Sequence, residues 1–334
     1  MTDRNRRLVL AERPTGMVDE RTTRLEEDDV PAPAAGEALA RVRFISIDPT
    51  IRTWMNDAPG YLPPIAIDEV VRAAGVAEIV ESNSDRYAPG DLVFGMTGWQ
   101  DYLLADEGER QLQPLPEGVP PTTALSAFGV TGMTAYFGML DVGKLKEGDV
   151  VVVSGAAGAT GSTAGQIARA KGAAKVIGIA GGPQKCAYIK DELGFDEAID
   201  YKSENVAARL HELAPAGIDL YFDNVGGEIL DACLANIALR GRIVLCGAIS
   251  GYNESEARGP ANYSMLIIRR GRMEGFIILD YFDRFPEAQA EMAGWLASGT
   301  VKASEHLVDG LEHAPDALNL LFTGGNTGKV IVKV

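Results

Sequence analysis

Cysteine and histidine are both scarce in this chain of 334 residues, and their positions exclude two common kinds of site. The three cysteines and the three histidines are Cys186, Cys233, Cys246, His211, His306 and His313. An odd number of widely spaced cysteines does not build a disulfide framework and is typical of a reducing cytoplasm. A catalytic zinc needs about three protein ligands, and the sequence has no CxxC, HExxH or clustered Cys and His. We therefore expect no metal site.

Positive charge and long apolar runs are also in short supply. The chain has 31 lysines and arginines against 47 aspartates and glutamates, which argues against nucleic acid or an anionic membrane as a partner. No segment approaches the roughly 18 apolar residues of a membrane span, and no apolar run follows the basic start, so neither a span nor a signal peptide is expected. With 46% hydrophobic residues, the chain fits a cytoplasmic protein of about two globular domains.

A glycine-rich turn that directly follows an apolar run is the most informative feature that is present. The run Val150–Ser154 leads into Gly155, Ala156, Ala157, Gly158, Ala159, Thr160 and Gly161, and a helix-compatible stretch follows at 162–171. Gly155 and Gly158 would let the backbone approach a pyrophosphate, and Gly161 would let the helix pack closely on the strand. A helix N-terminus there would attract phosphates. The spacing is a variant of the dinucleotide-binding motif, although it also fits an ordinary strand-to-helix turn.

The end of the next apolar strand, 175–180, indicates which dinucleotide would bind. An NAD-specific site usually places an acidic residue there to hold the ribose hydroxyls, but residues 180–185 read AGGPQK. No carboxylate would repel a 2′-phosphate, and Lys185 could pair with it, since a phosphate monoester carries roughly −1.5 to −2 charges. Alternatively, Lys185 is a solvated residue in the first turn of a helix predicted over 183–193. The pattern favours NADPH over NADH.

The rhythm of strands and helices changes along the chain. Short alternating segments at 36–46, 70–80 and 92–95 predict a mostly β domain, and a helical segment over 122–140 leads out of it. Strands then alternate with helices of ten or more residues. These strands are predicted at 150–154, 175–180, 198–201, 218–223, 242–246 and 272–278. This alternation predicts an α/β protein with a doubly wound parallel sheet.

The last segment, 328–334, is a clean strand pattern that cannot extend the parallel sheet without another crossover. We therefore return it to the first domain. The predicted domains are a mostly β domain over 1–125 and 302–334, and a Rossmann domain over 126–301 that binds the dinucleotide.

Loops beyond the carboxyl ends of the strands are the expected ligand site of an open α/β sheet. Asn224, in a turn with two glycines, lies near a cofactor ribose or simply belongs to a strand-to-helix turn. Tyr201, at the end of the third strand, stacks on adenine, contacts the 2′-phosphate, or is a half-buried strand aromatic. Tyr252 lies on a loop near the expected nicotinamide, where its phenol would donate a hydrogen bond to a substrate oxygen, unless it only packs.

Several segments together resemble one family, from one end of the chain nearly to the other. They are 46–52 (SIDPTIR), 98–102 (GWQDY), 154–161 (SGAAGATG), 165–168 (GQIA), 192–196 (ELGFD), 221–227 (YFDNVGG), 246–253 (CGAISGYN), 275–277 (GFI) and 325–329 (GNTGK). They are similar to those of the zinc-free medium-chain dehydrogenases/reductases, the group that contains leukotriene B4 12-hydroxydehydrogenase/prostaglandin reductase, plant double-bond reductases and curcumin reductase.

The resemblance implies a GroES-like catalytic domain formed by both ends of the chain around a Rossmann domain. It implies NADPH as cofactor, with Lys185 and Tyr201 at its 2′-phosphate and Thr131 near the nicotinamide amide. It further implies that Asn224, Tyr252 and Asn326 surround the ribose and phosphates. The family is commonly dimeric through the Rossmann sheets, so a homodimer is expected.

One departure from the family concerns the substrate pocket. Many relatives carry tyrosine in the segment DPYMR, where this chain has Thr50, which cannot supply a phenol. Trp54, Tyr61 or Trp99 would then shape the pocket, unless these aromatic residues belong to the core.

The activity that the resemblance implies is NADPH-dependent reduction of the C=C bond of α,β-unsaturated ketones and aldehydes. Hydride would reach the β-carbon, an enolate would form, and Tyr252 would be the catalytic hydrogen-bond donor. The alternatives are an NADPH:quinone reductase of the same superfamily and a non-catalytic NADPH-binding regulatory protein.

Overall fold

The structure, a computed structural model, describes residues 4–108, 110–256 and 258–334. Its contacts divide the chain into two units. The first runs to Leu125 and resumes at Glu305, and the second is Ser126–Ser304. Within the described ranges, no helix is long and apolar enough to cross a membrane.

Strands dominate the N-terminal part of the first unit. In chain order its elements are β1 (Arg4–Leu10), β2 (Thr23–Asp29), β3 (Ala38–Ser46), α1 (Thr50–Trp54), β4 (Ala74–Ser82), β5 (Leu92–Met96), β6 (Tyr102–Ala105), β7 (Gln113–Pro114) and α2 (Pro121–Leu125). β3 is buried at six of its nine residues, and Arg41 is exposed. Val42 and Ile45 belong to an apolar core cluster of this unit that also contains Trp99.

The second unit alternates strands and helices. Its elements are α3 (Val130–Phe137), β8 (Val150–Ser154), α4 (Ala159–Ala170), β9 (Lys175–Ala180), α5 (Pro183–Asp191), β10 (Glu197–Asp200), α6 (Val206–Leu213), β11 (Ile218–Asp223), α7 (Gly227–Ala235), β12 (Ile237–Leu245), α8 (Met265–Arg269), β13 (Arg272–Gly275) and α9 (Phe285–Ala297). β8 and β9 are buried along nearly their whole length, as expected for strands covered by helices on both faces.

The sheet of the second unit is parallel, in the spatial order β10-β9-β8-β11-β12-β13. The chain winds outward from β8 in one direction and from β11 in the other. The point between β8 and β11 is therefore the topological switch point, where such folds bind dinucleotides beyond the carboxyl ends of the strands. This arrangement confirms the predicted doubly wound Rossmann sheet.

The chain then returns to the first unit through β14 (Glu305–Asp309), α10 (Ala314–Thr323) and β15 (Lys329–Lys333). β15 pairs with β14 in parallel and with β3 in antiparallel orientation. The sheet order is β14-β15-β3-β4-β5-β7, with β6 also on β3. The predicted return of the last strand is confirmed, and so is the class of a Rossmann domain with a mostly β, GroES-like domain.

The predicted helix over 122–140 is wrong in its continuity. It is divided into α2 and α3, and a π-helical turn, Gly138–Val142, follows α3. The segment between α2 and α3 folds against α3 because Gly132 has no side chain. A Cβ there would lie 1.7 Å from the carbonyl oxygen of Ala127.

Other predicted bounds also need correction. The helices between strands are not all of ten or more residues, since α5 and α7 have nine and α6 has eight. β12 begins at Ile237 rather than 242, because Arg240 adopts a left-handed conformation (φ 61°) that carries the strand through an irregularity. β13 ends at Gly275, three residues before the predicted end.

Candidate cofactor and active site

The turn between β8 and α4 depends on glycine at two points. Gly155 has a φ of 59°, in the left-handed region that favours glycine. A Cβ on Gly161 would lie 2.3 Å from the Gly155 carbonyl oxygen, so the first turn of α4 packs directly on the backbone of the preceding turn. The Gly158 N–H donates to the same oxygen at 2.9 Å. These contacts produce a tight turn that could hold a pyrophosphate.

The N-terminus of α4 faces the same turn. Its N-cap is Gly158, and in the described chain no side chain caps this helix. The first-turn N–H groups, at Ala159, Thr160 and Gly161, are the kind that bind an anion together with the positive end of the helix dipole. Ala156 differs, because its N–H donates to the Ile179 carbonyl at 3.1 Å and so serves the sheet.

The turn after β9 is tied to the turn after β10 through Asp200. The Asp200 Oδ1 accepts the N–H of Gly182 at 2.7 Å and that of Lys202 at 3.0 Å. These hydrogen bonds lower the pKa of Asp200, the Gly182 N–H most strongly. The carboxylate therefore satisfies backbone donors of both turns.

Lys185 and Tyr201, the predicted pair at the 2′-phosphate, both lie next to the turn after β9. Lys185 lies in the first turn of α5, half-buried, and Tyr201 immediately follows β10 with 44% of its surface exposed. The Tyr201 ring packs over Gly181, where a Cβ would be 2.9 Å from Tyr201 Cε1. Burial lowers the pKa of Lys185, and the ammonium of Lys202 lowers it further.

Asp223 joins the two strand ends at the switch point. Its Oδ1 accepts the hydroxyl of Tyr221 at 2.7 Å and that of Ser154 at 3.1 Å. The same oxygen accepts the N–H groups of Val225 and Gly226, each at 2.9 Å. Burial raises the pKa of this carboxyl, although its hydrogen bonds act in the opposite direction. Asp223 therefore holds the loop after β11 against the end of β8.

Asn224 is placed by the same network. Its N–H donates to Ser154 Oγ at 2.9 Å, and its Nδ2 donates to the Ser154 carbonyl at 2.7 Å. A Cβ added at Gly155 would lie 3.4 Å from the Asn224 Cβ. Asn224 thus lies directly beside the glycine-rich turn, which is where a cofactor-binding residue must be.

Tyr252 lies beyond the carboxyl end of β12, after the short 3₁₀ turn Ile249–Gly251. Its hydroxyl oxygen accepts the N–H of Ala248 at 3.2 Å. Gly247 leaves room for the phenol, because a Cβ there would lie 3.1 Å from that oxygen. A hydroxyl that accepts a hydrogen bond is a better donor, so the arrangement suits the role expected for Tyr252.

The two remaining predicted residues, Thr131 and Asn326, belong to other segments of the chain. Thr131 is in the first turn of α3, and its hydroxyl donates to the Ser126 carbonyl at 3.0 Å. Asn326 belongs to the first unit, between α10 and β15, where it is buried and its Nδ2 donates to the Gly328 carbonyl at 3.0 Å. In 4–108, 110–256 and 258–334, no group of three or more His, Cys, Asp or Glu residues could hold a metal ion.

Sequence reasoning missed three residues of this region, namely Asp200, Lys202 and Asp223. Asp200 and Asp223 are the last residues of β10 and β11, and the carboxyl ends of parallel strands meet at one end of the sheet. Lys202 directly follows Tyr201, so the Tyr-Lys pair was a readable signal of a second cation.

The observed residues fit a dinucleotide with a phosphorylated ribose. The turn has the positive φ and the close glycine contacts that a pyrophosphate requires, and the adjoining helix is uncapped. At the ribose end, the described residues offer two lysines that form no ion pair with a carboxylate. Family models match in the corresponding regions: the N-terminal domain of oxidoreductase over residues 6–114 and zinc-binding dehydrogenase over 159–294.

Known proteins resemble the chain over nearly its whole length. It is 41% identical to the NADPH-dependent curcumin reductase of Escherichia coli, covering 99% of this chain and 97% of that protein. It is 39% identical to an NADP(+)-dependent 2-alkenal reductase of Nicotiana tabacum, with 90% and 88% covered. The crystal structure of CurA from Vibrio vulnificus in complex with NADPH has a TM-score of 0.93 and 44% identity, covering 98% of this chain and 99% of that one.

The chain is therefore a two-domain oxidoreductase of the medium-chain dehydrogenase/reductase class. Within that class it belongs to the NADP-dependent family that contains curcumin reductase, 2-alkenal reductase and prostaglandin reductase.

Proposed function

We propose that this protein reduces the C=C bond of α,β-unsaturated ketones and aldehydes with NADPH. The observation that carries the proposal is the carboxyl end of the Rossmann sheet, where Lys185 lies in the first turn of α5 without a carboxylate partner among the described residues. The chain is similar to an NADPH-dependent curcumin reductase and to an NADP(+)-dependent 2-alkenal reductase. This similarity supports α,β-unsaturated carbonyl compounds as the substrate class.

The residues that would hold the cofactor follow from their places in the second unit. The N–H groups at the start of α4 would bind the pyrophosphate, and Lys185 and Tyr201 would bind the 2′-phosphate. Asn224 and Tyr252 would contact the ribose and phosphates, and Thr131 would lie near the nicotinamide amide. We propose that the unit 126–301 binds NADPH and that the other, 1–125 with 302–334, carries the substrate side. Asn326, which belongs to the first unit, remains a proposed cofactor-binding residue.

When bound, NADPH supplies a hydride to the β-carbon of the substrate. Negative charge then develops on the substrate carbonyl oxygen, and a hydrogen-bond donor aimed at that oxygen lowers the barrier. Tyr252 is our candidate donor, because its hydroxyl is fixed by the N–H of Ala248. The substrate-derived enolate then takes a proton at its α-carbon.

On the substrate side, we propose that Tyr61 supplies a phenol beside Thr50, the position at which many relatives carry tyrosine. The two hydroxyl oxygens are 2.5 Å apart, and the Tyr61 ring contacts Trp54 edge-on with centroids 6.3 Å apart. Tyr61 is 47% exposed, so its ring is open to a ligand. We expect Tyr61→Phe to raise KM for an enone while the Kd for NADPH stays unchanged. An unchanged KM would remove Tyr61 from the pocket.

The test of the activity follows NADPH absorbance with purified protein and a panel of alkenals, aryl enones and quinones, with NADH in parallel. We expect NADPH-specific turnover of enones and a product that retains its carbonyl by mass spectrometry. A preference for quinones would support the quinone reductase alternative. Tight NADPH binding without turnover of any substrate would support a non-catalytic role.

We further propose a cytoplasmic homodimer that associates through β13. This strand is at the end of the second-unit sheet, and an edge strand offers unpaired backbone groups to another strand. Near it, Tyr263, Ile267 and Ile268 are 62%, 75% and 59% exposed, which favours burial against a second copy. Light scattering should give a dimer mass for the native chain and a monomer mass for Ile267→Asp. A monomeric native chain would refute the proposal.

A further inference from the structure

Two lysines meet at the turn after β9, and the sequence patterns pointed to only one of them. Lys185 approaches from the first turn of α5, and Lys202 approaches from the residue after Tyr201. Burial lowers the pKa of Lys185, and the nearby ammonium of Lys202 lowers it further. Two ammonium groups that repel each other would both be stabilised by an anion bound beside them.

The backbone holds the two lysines in adjoining turns, one after β9 and one after β10. Gly181 has no side chain, and a Cβ there would lie 3.0 Å from Cε of Lys202 and 2.9 Å from Cε1 of Tyr201. The stem of Lys202 and the ring of Tyr201 therefore lie side by side over Gly181. Asp200 joins this turn to the one that carries Lys185, because it accepts N–H groups from both Gly182 and Lys202.

Neither ammonium is neutralised within the described chain. Lys185 and Lys202 form no ion pair there, whereas Lys171 and Lys190 pair with glutamates at 2.6 and 3.4 Å. Asp200 attracts Lys202 electrostatically, but its oxygens are taken by the two N–H groups and by the hydroxyl of Ser203 at 2.9 Å. This turn therefore has two ammonium groups, neither paired with a carboxylate of the described residues, near the phenol of Tyr201.

We propose that Lys202 is a second cation for the 2′-phosphate of NADPH, and that it determines cofactor specificity together with Lys185. This inference rests on the proposed NADPH-dependent function. A phosphate monoester carries roughly −1.5 to −2 charges near neutral pH, so one lysine leaves it undercompensated and two balance it. Each ammonium offers up to three donors to the three phosphate oxygens.

The opposing explanation is that the Lys202 stem only covers Gly181 and that its charge is solvated. The two explanations differ in what a charge-removing substitution does. Lys202→Gln keeps most of the stem and removes the charge, and Lys202→Arg keeps the charge. If Lys202 only covers Gly181, the two variants should bind the 2′-phosphate equally well. If Lys202 contacts the phosphate, Lys202→Gln should bind it more weakly than Lys202→Arg.

The experiment measures binding by calorimetry with two probes, 2′,5′-ADP and 5′-AMP, which differ by the 2′-phosphate. We expect Lys202→Gln to weaken 2′,5′-ADP about three- to tenfold, the range of one partly exposed charge contact, and to leave 5′-AMP unchanged. Lys202→Arg should retain most of the affinity. Lys185→Ala should also weaken 2′,5′-ADP without changing 5′-AMP. The loss of affinity should be larger than for Lys202→Gln, because Lys185 is more buried. The native preference for 2′,5′-ADP should also fall with added salt.

The control is Lys146→Gln. Lys146 is an exposed lysine of the same unit that precedes β8, so it lies at the amino ends of the strands and not at their carboxyl ends. It should change neither probe. If Lys185→Ala loses 2′,5′-ADP selectively and Lys202→Gln does not, the inference about Lys202 is wrong and the NADPH site stands. If the native protein does not distinguish the two probes, the proposed NADPH specificity itself fails.

Discussion

At the scale of single residues, the proposed function depends on a few side chains whose surroundings are already arranged. Tyr252 is held by one backbone N–H, and Lys185 is held half-buried without a carboxylate among the described residues. The sequence indicated both, because each follows a strand at the ligand-binding edge of the sheet. It could not indicate the partner of Tyr252 or the nearness of Lys202 to Lys185, since these contacts depend on how two loops fold over Gly181 and Gly247.

Tyr252→Phe tests the assigned donor. We expect turnover of an enone to fall at least tenfold, because the loss of one such donor typically costs about 2.7–4 kcal/mol in the transition state. The Kd for NADPH should change much less, because the ring of residue 252 and the other cofactor contacts remain. Steady-state kinetics and fluorescence titration with NADPH measure the two quantities. Tyr188→Phe, at a partly buried tyrosine of α5 outside both the proposed site and the proposed dimer surface, is the matched control. Unchanged turnover in Tyr252→Phe would remove this residue from the reaction.

At the scale of elements, the order of strands followed from the sequence, but several boundaries did not. β9 and β11 have the predicted bounds, since each is an apolar run between clear turns. The sequence around Gly129 predicts a continuous helix, because its residues are compatible with one. There, tertiary packing decided the outcome, since Gly132 allows the preceding loop to lie against α3.

The link between β8 and β11 gives a stability prediction at this scale. Asp223→Ala would leave two hydroxyls and two N–H groups without their shared acceptor, and buried groups left unpaired cost about 1–3 kcal/mol each. We expect it to lower the free energy of unfolding by more than about 3 kcal/mol, measured by urea denaturation. Tyr221→Phe removes one of those donors and should cost about 1 kcal/mol. Equal effects of the two variants would contradict the role of Asp223 as a shared acceptor.

At the scale of the whole molecule, the notable feature is that the chain returns to its first unit. β15 pairs with β3, and the buried Lys329 donates to the Ile47 carbonyl at 2.8 Å and to Asp48 Oδ1 at 2.5 Å. The strand pattern of the last segment, which could not extend the parallel sheet without another crossover, predicted this return. The ion pair was not predictable, because nothing in a strand pattern shows that one lysine points inward.

Asp48→Asn tests that ion pair. Removal of one partner of a buried pair leaves a charge uncompensated and costs about 3–5 kcal/mol, so we expect the melting temperature to fall clearly. The double variant Asp48→Asn with Lys329→Met should recover much of the loss, because no buried charge remains. Calorimetry of the single and double variants measures both. A double variant no more stable than Asp48→Asn would contradict this explanation.

The central claim is that this protein adds hydride to the β-carbon of an enone and leaves the carbonyl intact. The most direct measurement uses NADPH labelled with deuterium at nicotinamide C4, with a simple aryl enone as substrate and NMR analysis of the product. Our account predicts deuterium at the β-carbon of a saturated ketone. Deuterium on the carbonyl carbon of an allylic alcohol would contradict it and indicate an alcohol dehydrogenase.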